Sequence, residues 1–193
     1  MDWLPDYNYI LASKSPRRQM LLKSLGIDFK VKVKEVDESY PEGLRIYEIP
    51  VYLAKIKALP FSDELADNDL LITADTVVCL EEKVLGKPAD RLEAVEMLQL
   101  LSAKDHQVIS GVCLTSAGKQ KAFFSVSTVR FRELDIQEIE YYVDVYKPFD
   151  KAGAYGIQEW IGYVGITHIE GSFYNVMGLP VQQLYSEILD FDI

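Results

Sequence analysis

The sequence predicts an α/β protein whose sheet is partly antiparallel, and three observations predict it. Strand-like and helix-like segments alternate along the whole chain, with no repeat, low-complexity tract or Gly/Ser linker between them. Helix starts carry explicit capping chemistry at Ser15, Asp90 and Asp135. Two long strand-like runs flank a Ser116-Ala117-Gly118-Lys119 turn, which brings a hairpin and with it antiparallel pairing.

Taken in order, Tyr9 to Ala12 reads as a short buried strand that turns through Ser13-Lys14-Ser15-Pro16 into a helix carrying Met20, Leu21, Leu22 and Leu25. Ser15 suits the N-cap and Pro16 the first helical position, and Gly26 closes the helix. Phe29 to Val33 alternates apolar residues with lysines, the pattern of a strand with one wet face. Acidic and turn-forming residues from Glu35 to Gly43 precede a helix over Ile49 to Leu59, stopped by Pro60.

Leu70 to Thr73 and Val77 to Leu80 read as strand runs flanking Ala74-Asp75-Thr76. Asp90 opens a helix with Glu93 as its capping-box partner and Ala94, Met97, Leu98 and Leu101 facing inward. Gln107 to Leu114 and Ala122 to Phe131 form the hairpin strands. Asp135 with Glu138 repeats the capping signal for a helix to Tyr146. A glycine-bearing segment, Lys151 to Gly156, leads to strands near Ile161 to Ile169 and a last helix after Pro180.

The 193 residues give room for one domain or two small lobes. At that length folding hides roughly 70% of the unfolded chain's surface, so a packed core needs no disulfide or metal staple. Twenty Lys and Arg stand against 30 Asp and Glu, a formal charge of −10. This balance argues against nucleic acid and against an anionic membrane surface as partners. Any anionic ligand must therefore be met by local positive charge.

Cys79 and Cys113 sit singly in apolar runs and read as buried thiols of a reducing compartment. His106 and His168 are isolated, which leaves little for a histidine metal site or a Ser/His/Asp triad. No apolar stretch approaches the ~18 residues of a spanning helix. Met1 to Tyr9 carries two aspartates and no basic residue. A cytoplasmic location is the expectation.

Ser13-Lys14-Ser15-Pro16-Arg17-Arg18 is the strongest chemical signal. Two hydroxyls, three cations, free backbone N–H groups and the positive end of a helix converge there, and in an acidic chain that reads as an anion seat. The plainer alternative is a solvated first turn. Asp75, with Thr76, interrupts an apolar double run, where a carboxylate needs a partner, a metal or a shifted pKa; the alternative is a turn aspartate. Together with Glu38 it offers hard oxygen ligands for Mg²⁺.

Lys57 lies on a helix and Lys87 in a Gly86-Lys87-Pro88 turn, positions that surface lysines also occupy. Asp150-Lys151-Ala152-Gly153-Ala154-Tyr155-Gly156-Ile157-Gln158 combines glycines, which permit close backbone approach, with a two-sided amide. No P-loop, GxGxxG or GxSxG occurs, which weakens classical NTPase, Rossmann and serine-hydrolase readings.

Leu11-Ala12-Ser13-Lys14-Ser15-Pro16-Arg17-Arg18, Ala74-Asp75-Thr76, Gly86-Lys87-Pro88, Asp150-Lys151-Ala152-Gly153 and Gly178-Leu179-Pro180, in that order, resemble the Maf family of nucleoside triphosphate pyrophosphatases, once named for septum formation. The resemblance runs from Ile10 to about Leu184. It implies an inosine-triphosphatase-like (Maf/Ham1) fold, one domain over 1–193 with two lobes around a central cleft. It also implies hydrolysis of a nucleoside triphosphate to monophosphate and pyrophosphate with a divalent cation, Mg²⁺ or Mn²⁺. Asp75, Lys57 and Lys87 are then the catalytic residues, and Ser13, Ser15, Arg17, Arg18, Thr76 and Gln158 bind substrate. Glu38 and Asp75 hold the metal.

Arg17, Thr76 and Gln158 occupy the three positions that sort the subfamilies, and the combination looks like the dTTP/UTP group. The sister group acting on 7-methyl-GTP carries a bulky aromatic, a glutamine and a glutamate there. Two departures stand out: Lys14 replaces a small residue, which bears on phosphate affinity, and Thr73-Ala74 replaces a Gly-Ala pair. A non-catalytic division regulator that binds nucleotide is the competing class, and the resemblance leaves monomer and homodimer both open.

Overall fold

A computed structural model describes residues 3–192; residues 1, 2 and 193 of the expected 1–193 domain lie outside the described residues. The strands are β1 (Asn8–Leu11), β2 (Phe29–Val31), β3 (Asp69–Leu80), β4 (Lys83–Leu85), β5 (Asp105–Thr115), β6 (Gln120–Phe131) and β7 (Ile166–Glu170). The helices are α1 (Pro16–Ser24), α2 (Glu48–Ala58), α3 (Arg91–Leu101), α4 (Ile136–Tyr146), α5 (Trp160–Gly165), α6 (Phe173–Val176) and α7 (Val181–Leu189). The sheet runs β2-β1-β3-β5-β6-β7, with β4 on β3. β1 is parallel to both neighbours, whereas the β3–β4 and β6–β7 pairs are antiparallel. This is the mixed α/β architecture the sequence predicts.

Contacts divide the chain into two units: Met1–Asp75 with Ser110–Ser125 and Gly178–Ile193, and Thr76–Ile109 with Val126–Met177. In the first unit β1 lies between two parallel partners, so Tyr9, Ile10 and Leu11 are all buried rather than alternating. α1 begins as its sequence dictates: Ser15 accepts the Arg18 N–H at 3.5 Å, Pro16 occupies the first turn, and Gly26 turns the chain at φ +73°.

α2 packs through Ala58 and, just beyond it, Phe61 onto Ile10 and Leu71. A Cβ on Gly111 would fall 2.3 Å from the Pro50 carbonyl carbon, so only glycine lets β5 approach the start of α2 this closely. α2 stops ahead of Pro60 as expected, at Ala58, and a single 3₁₀ turn, Leu59–Phe61, follows with Pro60 in its opening positions. β2 departs from expectation, because Val31 and Val33 are 45% and 39% exposed. As the edge strand it lies at the end of the sheet, and it stops at Val31, two residues short of Val33.

The second unit confirms the capping signals in detail. Asp90 accepts the Glu93 N–H at 3.0 Å, while the Glu93 carboxylate takes the Ala89 N–H instead of closing a full box. Asp135 and Glu138 do form a complete box. Ala94, Met97, Leu98 and Leu101 of α3 are buried as predicted, each large side chain contributing roughly 1.5–3 kcal/mol by leaving water. Ile139, Tyr142 and Val143 form the buried stripe of α4.

Two expectations need correction. Residues 160–165 are α5 rather than strand, since Gly162 closes on the chain before it: a Cβ there would sit 1.9 Å from the Ile157 carbonyl oxygen. The two runs around Asp75 are one unbroken twelve-residue strand, β3, so Asp75 is not a turn residue.

Candidate active site

Asp75 sits mid-strand, where its carboxylate must be satisfied by a neighbour. α2 supplies it: Lys57 Nζ lies 2.6 Å from Asp75 Oδ1 and 3.3 Å from Glu38 Oε1. The lysine and aspartate side chains are only 16% and 12% exposed, whereas Glu38 is 48% exposed at the rim of the pair. The two carboxylates named from sequence as metal ligands thus converge on one point, at present held by an ammonium.

The alignment has a local cause that the sequence reading missed. Thr73 and Asp75 are two apart on β3 and share a face, and Ala54 and Lys57 are three apart on α2 and share a face. The fully buried Thr73 hydroxyl donates to the Ala54 carbonyl at 2.7 Å, which sets helix against strand in the register that brings Lys57 to Asp75. A hydroxyl one pleat from a buried acid was the available signal.

The helix-start motif is also at this unit's β1–α1 turn. Ser13 is buried, and its Oγ accepts the Ser15 N–H at 3.2 Å. Arg17 is partly buried. Arg18 does more than the predicted phosphate contact requires. Its Nε donates to the Gly178 carbonyl and its Nη1 to the Ala74 carbonyl, each at 2.8 Å. It therefore ties α1 to the peptide that precedes Asp75 and to the turn before α7. Burial pulls its guanidinium below the usual range, and the Asp75 carboxylate opposes that shift. Lys14, the departure from the family pattern, pairs with Glu35 at 3.3 Å on the open surface.

Thr76, Lys87 and Gln158 belong to the second unit. Thr76 is partly buried on β3 and Lys87 is exposed in its turn. The Gly86 carbonyl of that turn accepts the Gly153 N–H at 3.0 Å, which joins the Gly-Lys-Pro turn to the 150–158 loop. Gln158 is partly buried, and its Oε1 is buried without a hydrogen-bond partner.

Beneath Gln158 lies a network that sequence did not reveal. The Tyr142 hydroxyl donates to Glu159 Oε2 and accepts the Gly156 N–H at 3.0 Å, while Lys151 Nζ reaches Glu159 Oε1 at 3.2 Å and Asp150 Oδ1 at 2.7 Å. Burial, reinforced by the Glu159 carboxylate, pushes the Tyr142 hydroxyl upward, so it stays a protonated donor.

The remaining singled-out residues stand apart from this chemistry. Both cysteines are buried and unpaired, and burial pushes the Cys79 thiol up to about 12. His106 is buried against the Tyr155 hydroxyl at 2.8 Å, and His168 is exposed. Among the described residues no helix is long and apolar enough to cross a membrane.

The family model described as Maf-like protein matches residues 8–191. A protein of Bacteroides fragilis named dTTP/UTP pyrophosphatase is 55% identical over 186 residues, covering 96% of each chain. One of the same name from Porphyromonas gingivalis is 50% identical over 194 residues, covering 99% of this chain and 98% of the relative. Among solved structures, the Ham1 protein of Staphylococcus aureus is similar at a TM-score of 0.47 and 14% identity, over 64% of this chain and 71% of that one. With the match extending over nearly its whole length, the chain belongs to the Maf family.

Proposed function

We propose that the chain hydrolyses dTTP and UTP, with modified pyrimidine triphosphates, to the nucleoside monophosphate and pyrophosphate. The observation that carries this reading is the Asp75 carboxylate, fixed at 2.6 Å by Lys57 in mid-strand, in a chain 50–55% identical to proteins named for that activity. The two units are taken as the two lobes of one Maf-like domain. A house-cleaning role in the cytoplasm, where such nucleotides are made and damaged, follows from the substrate class.

A triphosphate brings about four negative charges to a site already holding Asp75 and Glu38, so cations must accompany or meet it. Arg18, Lys57 and Lys87 are assigned to that task, with the Ser13 and Ser15 hydroxyls and the start of α1 beside them. Asp75 orients the attacking water and takes its proton as the water oxygen bonds to the α-phosphorus. The bond from the α-phosphorus to the bridging oxygen breaks, and pyrophosphate leaves with the electron pair.

Glu38 and Asp75 fit a small divalent cation: both offer hard oxygens to one point, and such an ion binds through one or two carboxylates with substrate phosphates completing its shell. When bound, Mg²⁺ or Mn²⁺ neutralises charge on the triphosphate and the leaving pyrophosphate.

Gln158 is assigned to the base. Its amide offers a donor and an acceptor side by side, which match O4 and N3–H of uracil or thymine. Arg17 and Thr76 are assigned to the same selection. Pyrophosphate release measured over a nucleotide panel with Mg²⁺ tests the reading. UTP and dTTP should lead. Release from no triphosphate would favour a binding module, a preference for 7-methyl-GTP would favour the sister group, and release only from ITP and XTP would point to purine house-cleaning.

A further inference from the structure

The loop that carries Gln158 is built against its own backbone preferences. Gly153 and Ala154 both adopt left-handed conformations, at φ +67° and +59°, and a side chain at residue 154 resists that region. Such a path persists only when its surroundings hold it. Tyr155 is held by the His106 ring nitrogen at 2.8 Å and against Phe131, and further ties fix the backbone on either side of it. The Gly153 N–H goes to the Gly86 carbonyl, and the Gly156 N–H goes to the Tyr142 hydroxyl. The same hydroxyl donates to Glu159, whose other oxygen faces Lys151 at the opposite end of the loop. Glu159 also opens α5, its carbonyl accepting the Gly162 N–H at 2.9 Å.

Gln158 therefore sits between two fixed residues, buried Ile157 and tethered Glu159. The packing is close on its inner side. A methyl group added at Gly156 would lie 3.0 Å from Gln158 Nε2 and 3.0 Å from Glu159 Oε2. One end of the amide thus lies close against the anchored loop and its oxygen is buried, so the loop's position sets the amide's orientation.

We propose that Tyr142, acting through Glu159 and Gly156, is a specificity-determining positioning residue that fixes the Gln158 amide for pyrimidine recognition. The proposal rests on the reading of Gln158 as the base-selecting group. An amide whose backbone wanders can present its donor or its acceptor to the same edge, so selectivity needs the anchor as much as the amide. Tyr142 suits the role because its ring is fully buried and stacked on Tyr146 at 5.1 Å, which leaves the hydroxyl a single orientation.

The test is a double-mutant cycle on kcat and KM for UTP and CTP, whose N4 and N3 present the inverted donor and acceptor, using Tyr142→Phe, Gln158→Ala and the pair. Phenylalanine keeps the packing and removes only the hydroxyl. The expected result is a tenfold or greater fall in UTP-over-CTP discrimination in Tyr142→Phe, carried mainly by KM for UTP. In the Gln158→Ala background the same change should have no further effect on discrimination. Equal losses on UTP and CTP, unchanged discrimination, or additive effects in the pair would each overturn the positioning role. Gln158→Ala alone tests the underlying reading: if it leaves discrimination intact, the base assignment has failed, and the proposal with it. Should Tyr142→Phe not fold, Glu159→Gln enters the same cycle, expected to be likewise silent on discrimination beside Gln158→Ala, and additivity there refutes the role.

Discussion

Asp75→Asn should separate chemistry from stability more cleanly than any other substitution in this chain. Asparagine keeps the shape and can still accept from Lys57 Nζ at the 2.6 Å contact, but it loses the charge and the ability to take a proton. Lys57 is not stranded, because Glu38 remains 3.3 Å away. The structural cost is the difference between two hydrogen bonds that differ by one charge, about 1 kcal/mol. For a chain of this size that moves the thermal midpoint by roughly 2–4 °C. Loss of a general base instead removes about 10²–10⁴ in rate, equivalent to roughly 3–5 kcal/mol of barrier. Pyrophosphate release from UTP, read as kcat and KM alongside thermal denaturation, shows whether the two effects part as calculated. Turnover within a few-fold of wild type would refute the assignment. So would a midpoint drop well beyond about 10 °C with turnover restored on cooling, because Asp75 would then be structural.

Three further outcomes follow from the same geometry. Arg18→Ala removes two charge-assisted bonds to the Gly178 and Ala74 carbonyls, so thermal denaturation should show a loss of about 2–4 kcal/mol, and kcat/KM should fall roughly tenfold to a hundredfold. An unchanged midpoint would remove the clamp from the account. Gln158→Glu places an acceptor against O4, and kcat/KM for UTP and dTTP should drop by the equivalent of about 1–3 kcal/mol; a variant unchanged on UTP defeats the base assignment. His106 is pulled down to about 4 from its ordinary 6.5, first by burial and against the pull of Asp105. Between those values the unfolded chain binds the extra proton, so the contribution is complete above about pH 6.5 and is lost as pH falls towards 4, roughly 3 kcal/mol in all. Urea denaturation of wild type and His106→Phe at pH 7 and 4.5 should show the variant with the flatter pH dependence, and parallel curves would contradict it.

The sequence by itself determined whatever depends on local chemistry. Helix starts at Ser15, Asp90 and Asp135 appear where capping hydroxyls and carboxylates stand, since a cap is a bond between residues two or three apart. The inward faces of α3 and the hairpin around residues 116–119 were legible for the same reason. Periodicity failed at two places. Val31 looks like a core residue but lies on an edge strand, and Trp160–Gly165 has strand-like residues that glycine contacts fold into a helix.

Only the tertiary structure decided what Asp75 is. Its carboxylate looked like an interruption of two strands, yet an ammonium 18 residues earlier lets one strand pass through unbroken. Arg18 was readable as a cation, but its commitment to the Gly178 carbonyl, 160 residues away, was not. The Tyr142 and Glu159 network is invisible for the same reason. A hydrogen bond made across the fold depends on where packing places two backbones, and no spacing along the chain encodes that.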